Sequence, residues 1–405
     1  MTKTEQIANL YSQYVVPTYS QSLALVKGKG TRVWDADGQV YLDFISGIAT
    51  LNIGHCHPAV VAAIREQAGT LMHVSNLFYT ENQGRLAEKL VSLAGGGKCF
   101  FCNSGAEANE ALIKLARLYG QPSGRFEIIS MSNSFHGRTL AALAATGQTK
   151  HQAGFEPMPE GFIQTPFNDL EALRAKITDQ TAGILLEAVQ GEGGIITADP
   201  AFLQGVQEIC REKDILLLCD EVQCGMGRTG EWFAFQGAGI DPDAFSLAKS
   251  LGGGLPLGAI VVSPRLADVY QPGKHASTFG GNPVAAAAAL ATLGVIEKEN
   301  LLARATEAGQ TLKAGLEALV GKYEHVKEVR GVGLMLGLVL DQPAKPLVDA
   351  LRGMGLIALA TAETVVRFLP PLNVKDTEIA EALEIIEDAV AEWHGVERPN
   401  ADEED

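Results

Sequence analysis

Short, largely apolar runs recur along this chain, separated by segments whose apolar positions repeat every three to four residues. The runs are 99–102, 127–130, 183–186, 215–219, 244–247 and 258–262. They are mostly continuous rather than alternating, the pattern of strands covered on both faces. Between them, 107–119 places Ala108, Leu112, Leu115, Ala116 and Tyr119 on one helical stripe, and 202–213 is similar. Strand and helix in alternation predict a mostly parallel α/β sheet. The texture changes from about Pro283. An alanine-rich helix is predicted over 284–298 and a second around 301–323, then strand-like runs at 334–340 and 365–368. A terminal helix follows, with Ile379, Leu383, Ile386 and Val390 on one face and Asp376 or Thr377 as N-cap. Near the start, 31–35 and 40–44 read as strands around the turn Ala36-Asp37-Gly38. The division expected is a large domain over 61–282 and a smaller α+β domain built from 1–60 and 301–395. Residues 283–300 form a connecting helix, and 396–405 a disordered acidic tail. No internal repeat is visible.

Composition narrows the classes. The 405 residues are 46% hydrophobic, enough for two packed lobes. Net charge is −16, from 32 basic and 48 acidic residues, with part of the excess between Glu397 and Asp405. That balance argues against nucleic acid or an anionic membrane as a partner. It leaves room for an anionic small substrate, since a few arginines reverse a local field. No stretch of 18 apolar residues is present, so no membrane span is expected. Met1-Thr2-Lys3-Thr4-Glu5 lacks the apolar core of a secretory signal. Six scattered cysteines read as reduced thiols in a cytoplasmic protein. Cys99 and Cys102 fall on a strand, where residues three apart face opposite sides, a poor geometry for redox or zinc chemistry. His55 and His57 read as a loop before Pro58 and a helix, and no metal site is expected.

The chemistry concentrates in two places. Lys249 follows the apolar run 244–248 and precedes Gly252-Gly253-Gly254. The uncharged run 215–219 ends in Asp220-Glu221-Val222-Gln223. A lone lysine at one strand end and an acid at another suggest an amine that forms a Schiff base with pyridoxal phosphate and a carboxylate that grips the ring nitrogen. Val222 would pack on the ring, Gln223 would bond its hydroxyl, and Phe135 would cover the opposite face or serve as plain core. Asn103-Ser104-Gly105-Ala106-Glu107-Ala108-Asn109 follows a strand and opens a helix, which makes either an anion site at the helix N-terminus or an ordinary βα turn. It is neither a Walker loop nor a G-x-G-x-x-G dinucleotide turn. His275 to Pro283, with Ser277 and Thr278 before Gly280-Gly281, offers further donors to a phosphate.

With these pieces in order, the chain resembles the class III, fold-type I pyridoxal-phosphate aminotransferases over nearly its whole length. The matching motifs are Gly54-His-Cys-His-Pro58, Asn103 to Asn109, Ser134-Phe-His-Gly-Arg138, Glu187-Ala-Val-Gln-Gly-Glu192, Asp220 to Gln223, Ala248-Lys249 and Ser277 to Pro283. Its wording is most similar to the acetylornithine branch. The resemblance implies a seven-stranded, mostly parallel sheet covered by helices, with a smaller domain from both chain ends. It implies that Lys249 holds the cofactor covalently, Asp220 pairs with the ring nitrogen, Gln223 bonds the ring hydroxyl and Phe135 stacks. Ser104, Gly105, Ala106, Glu187 and Val222 would complete the cofactor site. Thr278 would reach the phosphate of a neighbouring subunit in a homodimer. Arg138 and Ser277 would contact an acyl amino acid, while Glu192 and Arg367 would form the switch that lets one pocket take a small-molecule amino donor and then 2-oxoglutarate. Succinylornithine, ornithine or 4-aminobutyrate are alternative donors. A cofactor-binding protein without turnover is the non-enzymatic alternative.

Overall fold

In the computed structural model, residues 1–393 are described, so the tail expected over 396–405 lies outside them. The central sheet has seven strands: β1 Lys98–Cys102, β2 Glu127–Met131, β3 Phe162–Thr165, β4 Thr181–Leu186, β5 Leu216–Asp220, β6 Ala244–Leu247 and β7 Gly258–Val262. Their spatial order is β1-β7-β6-β5-β4-β2-β3. All pairings are parallel except those of β7, which runs against both neighbours. Every residue of β4, β5, β6 and β7 is buried, which is why these runs carry no polar alternation. The helix Gly105–Gly120 lies across β7 and β6, burying Ala108, Ala111, Leu112, Leu115 and Ala116. The helix Pro200–Lys213 packs on β5.

Register decides what meets at the strand ends. Asp220 pairs with Ser246 on β6, and Cys219 with Leu186 on β4. Asp220, Ser246 and Glu187 therefore stand side by side at the carboxyl edge, and Lys249 follows two residues after β6. That edge is where open α/β sheets bind ligands.

Strands from the two ends of the chain build two four-stranded sheets. Leu25–Lys29, Arg32–Asp35 and Val40–Asp43 join Leu356–Ile357 in one four-stranded sheet, with Leu42 beside Leu356. Val326–Val332, Met335–Leu340, Val365–Phe368 and Leu359–Thr361 form another, and its third strand carries Arg367. The turn at Asp37 is held by Asp35, whose Oδ1 accepts from the N–H groups of Asp37 and Gln39 at 3.0 and 2.8 Å. The alanine-rich helix Pro283–Lys298 packs on Pro58–Thr70 and Glu81–Leu93, its small side chains permitting close approach. Asn282 caps it, accepting from Ala285 N–H at 3.0 Å.

Several elements differ from the expectation. The helix expected over 301–323 stops at Glu317. Asp376 and Thr377 both lie inside the terminal helix Asp376–Trp393, and Glu378 reaches back to accept from Lys375 N–H at 3.0 Å. The chain also forms β3, an N-terminal helix Lys3–Tyr14 with no buried residue, and the strand Val326–Val332. Among the described residues, no helix is long and apolar enough to cross a membrane, and no group of three or more His, Cys, Asp or Glu is placed to hold a metal.

Candidate active site

A cavity of about 470 Å³ opens at the carboxyl edge of the sheet. Lys249 and Asp220 both line it, as do Ser104, Gly105, Ala106, Phe135, Arg138, Glu187, Glu192, Val222 and Gln223. Lys249 holds a left-handed backbone with φ of 44°, a strained state for a residue with a side chain. Its amine has no hydrogen bond or ion pair among the described residues. Burial lowers its pKa below the usual lysine value, with Glu192 opposing and Arg367 adding to the shift.

Four hydrogen bonds converge on the buried Asp220. Oδ2 accepts from Asn109 Nδ2 at 2.7 Å and lies 2.8 Å from His136 Nδ1. Oδ1 accepts from Val222 N–H at 3.0 Å and from Ser246 Oγ at 3.4 Å. The Asp220 carboxylate makes Nδ1 a donor of the His136 ring, and Nε2 is buried without a partner. Asn109 also donates to the His136 carbonyl at 2.7 Å, which fixes ring and acid together.

Glu187 supports the site from behind. Its Oε1 accepts from Phe135 N–H at 3.0 Å and Oε2 from Gly191 N–H at 3.2 Å. Burial drives its pKa up, and His136 and these two N–H groups oppose the rise. The Phe135 ring has the Arg138 guanidinium 5.4 Å from its centroid and the His151 ring at 6.0 Å, edge-on.

At the helix N-terminus, Ser104 Oγ accepts from Glu107 N–H at 3.2 Å, and Ala108 N–H donates to the Ser104 carbonyl. The N–H groups of Gly105 and Ala106 are left without partners among the described residues, an arrangement that suits an anion. A Cβ on Gly105 would lie 2.7 Å from Val222 Cγ1, so only glycine lets the loop approach the strand end this closely.

Arg367 sits behind the cavity wall. Its Nη1 donates to Glu192 Oε1 at 2.6 Å, to Gly191 O at 2.9 Å and to Gln223 Oε1 at 3.0 Å. Gln223 Nε2 donates in turn to Glu192 Oε1 at 3.1 Å. The Gln223 amide thus bridges acid and guanidinium, a tie that no spacing in the sequence signals. Burial works to raise the Glu192 pKa, but the charge and hydrogen bond of Arg367, aided by Lys249 and Gln223, outweigh it and hold it below the usual value.

The pattern that defines the class-III aminotransferases matches residues 14–390. This chain belongs to that family. Acetylornithine aminotransferase of Methanocaldococcus jannaschii is 49% identical over 394 residues, covering 96% of this chain and 98% of that one. The Gloeobacter violaceus acetylornithine aminotransferase is 48% identical, covering 95% and 98%. Among solved structures, ornithine aminotransferase from Toxoplasma gondii ME49 superposes with a TM-score of 0.94 at 33% identity, covering 98% of this chain and 96% of that one. A second structure of the Toxoplasma enzyme is described as having partial occupancy of PLP at its active site.

Not every residue expected at the site of this aminotransferase reaches the cavity. Ser277 and Thr278 do not line it. Ser277 Oγ accepts from Asn103 Nδ2 at 3.3 Å and from Gly280 N–H at 3.0 Å, and Thr278 is exposed. His55 pairs with Asp43 at 2.6 Å, and the His57 ring accepts from Ala59 N–H at the start of a helix. Burial pushes the Cys99 and Cys102 thiols up to about 12.

Glu221 was legible only as part of an acidic pair. It is buried and does not line the cavity, and it accepts from Ala234 N–H at 2.8 Å and Phe235 N–H at 3.1 Å. Burial pushes it up to about 7 from 4.5. The folded state therefore binds more protons than the unfolded state between about pH 4.5 and 7, and stability falls as pH rises through that window. Glu221→Gln removes this component, up to about 3 kcal/mol. Urea denaturation at several pH values should show a shallower decline for the variant between about pH 4.5 and 7. Parallel curves would show that Glu221 does not titrate there.

Proposed function

We propose that this chain is a pyridoxal-phosphate-dependent ω-aminotransferase converting N2-acetyl-L-ornithine and 2-oxoglutarate to N-acetyl-L-glutamate 5-semialdehyde and L-glutamate. The observation that carries this reading is the convergence of Lys249, Asp220 and Glu192 on one cavity of about 470 Å³, with Arg367 bonded to Glu192 from behind its wall. The names of the relatives support the donor.

The residues present fit the cofactor. The unpartnered Lys249 amine, the Asp220 carboxylate and the free N–H groups of Gly105 and Ala106 match an aldehyde, a pyridine nitrogen and a phosphate. Phe135 and Val222 supply the two faces of a slot, and Ser104 and Glu187 order its walls. When bound, the cofactor supplies an electrophilic carbonyl and an electron-withdrawing ring that accept and return the amino group. Asp220 would hold the ring nitrogen of the bound cofactor, and His136 and Asn109 keep its carboxylate oriented. Lys249 Nζ moves the proton at the substrate carbon. Its lowered pKa favours the neutral amine this needs.

Two substrates of different shape use the same cavity in turn. The donor presents a terminal CH₂–NH₂, so nothing anionic lies beside its reacting carbon and Glu192 neutralises Arg367. An unpaired buried guanidinium would cost several kcal/mol. The 2-oxoglutarate α-carboxylate then takes Arg367 in paired hydrogen bonds, and Glu192 swings away. Arg138, over the Phe135 ring, receives the distal carboxylate of either substrate.

Thr278 belongs to this proposal through a second copy: exposed and outside its own cavity, it would reach a neighbour's phosphate, with Ser277 near the acyl group. Active homodimers follow. The domain division at 61–282 and 301–395, joined by 283–300, and a cytoplasmic setting for six free cysteines, belong to the same reading.

The decisive experiment is a donor panel on the purified yellow protein. Acetylornithine should bleach it with the highest kcat/KM among acetylornithine, succinylornithine, ornithine and 4-aminobutyrate, and 2-oxoglutarate should restore the colour. A preference for another donor would replace acetylornithine, and no bleaching would leave a cofactor binder. Arg367→Ala sharpens the test. Single-turnover rates should fall by roughly 10²-fold or more with 2-oxoglutarate, the loss of a bidentate charged contact, and far less with the donor. Equal losses in both halves would make Glu192–Arg367 a static pair.

A further inference from the structure

Glu192 stands in the wall between two cavities. One is the active-site cavity. The other, of about 310 Å³, is lined by Gln148, Thr149, Lys150 and Glu363 among others. The Glu192 carbonyl accepts from Thr361 Oγ1 at 2.8 Å, so its backbone is anchored and exchange is a side-chain rotation. Its side chain is 30% exposed against 2% for Arg367, so only one partner of the pair has a solvent-facing route. The adjoining Gly193 keeps the wall thin: a Cβ there would lie 2.8 Å from the Asn133 carbonyl.

Lys150 is the one cation among the described residues lining this second cavity, and it makes no ion pair among them. It sits on the short turn Thr149–His151, next to the His151 ring that meets Phe135. Burial holds His151 below its usual value, Arg138 and Lys150 add to this, and Glu192 opposes it. Glu363, on the same cavity, is a like charge for an arriving carboxylate.

We propose that the second cavity receives the Glu192 carboxylate when a substrate carboxylate takes Arg367, and that the Lys150 ammonium holds it there. This rests on the reading of Glu192–Arg367 as an exchangeable pair. Lys150 is then a positioning residue for the acceptor half of the reaction alone. A displaced acid without a cationic partner returns sooner to Arg367 and competes with 2-oxoglutarate.

The test uses single-turnover measurements on the holoenzyme, donor and acceptor halves separately, with Lys150→Met, Lys150→Glu and Glu363→Gln. Lys150→Met should raise the half-saturating 2-oxoglutarate concentration roughly two- to fivefold, the size of one exposed ion pair, and Lys150→Glu about tenfold. Glu363→Gln should lower it by about twofold, and donor-half rates should stay within about twofold throughout. A crystal structure with bound glutarate should place a Glu192 oxygen within ion-pair distance of Lys150 Nζ. Unchanged acceptor kinetics in both Lys150 variants, equal losses in both halves, or Glu192 seated elsewhere would overturn the proposal. Glu192→Gln separates the two levels. If it alters both halves equally, the exchangeable pair fails and this proposal with it. If it shifts the two halves differently while Lys150 is silent, only the resting place is wrong.

Discussion

Lys249→Ala stops turnover while the fold survives. In the proposed reaction the amine moves the proton at the reacting carbon, and a positioned acid–base group contributes about 10²–10⁴-fold, or roughly 3–5 kcal/mol of barrier. Losing the covalent anchor as well places the expected fall in kcat beyond about 10³-fold. The site tolerates the replacement because alanine faces the same left-handed backbone, φ of 44°, that lysine already adopts. No hydrogen bond of the lysine amine is lost, since it makes none among the described residues. Three measurements check this. Borohydride reduction in saturating pyridoxal phosphate should label residue 249 in the unmodified protein and nothing in the variant. Single-turnover absorbance should show no amino transfer, and thermal unfolding should give a similar Tm. A variant that keeps a tenth of the activity, or a label on another lysine, would remove Lys249 from the centre of the site.

The largest loss of stability is expected from Arg228→Met. This side chain is fully buried, yet it makes no ion pair among the described residues. Nη1 donates to Leu334 O at 2.9 Å and to Pro370 O at 2.5 Å, and Nη2 donates to Asn52 Oδ1 at 2.5 Å. Burial pushes the guanidinium down to about 9, a measure of its desolvation. Methionine would relieve that desolvated charge but orphan three buried acceptors at about 1–3 kcal/mol each. The acceptors win, leaving a net loss on the order of 3 kcal/mol. Urea denaturation should show the midpoint falling at unchanged m-value, with Arg228→Lys intermediate. The kinetic consequence follows from position. Arg228 joins the loop after Asp220 to the segment after Arg367, so loosening it should weaken the acceptor half more than the donor half. An Arg228→Met protein of full stability would mean that the acceptors find other donors.

How much of this was visible beforehand depends on local contrast. β4, β5, β6 and β7 are apolar runs with no competing periodicity, and their ends were legible to within a few residues. Lys249 and Asp220 stood out because a charge at the end of such a run has no packing explanation. β3 escaped because it is an edge strand whose Gln164 and Thr165 break the apolar signal. The strand Val326–Val332 hides behind Lys327, Glu328 and Arg330, tolerable because it is an edge strand on which Lys327 and Glu328 are exposed. The Lys3–Tyr14 helix buries nothing, so no stripe announces it. Relations between distant side chains are harder still. Nothing near Arg228 in the sequence names Leu334 or Pro370, and nothing beside Gln223 names Glu192. Such pairings come from register, and register is a property of the folded sheet.

The oriented amide of Gln223 has one more effect. Its oxygen faces Arg367 and its NH₂ faces Glu192. In the exchange proposed above, rotation of the glutamate leaves that NH₂ bare beside the guanidinium. An incoming 2-oxo acid thus finds two donors of different kinds already aimed, and a simple amine can use neither.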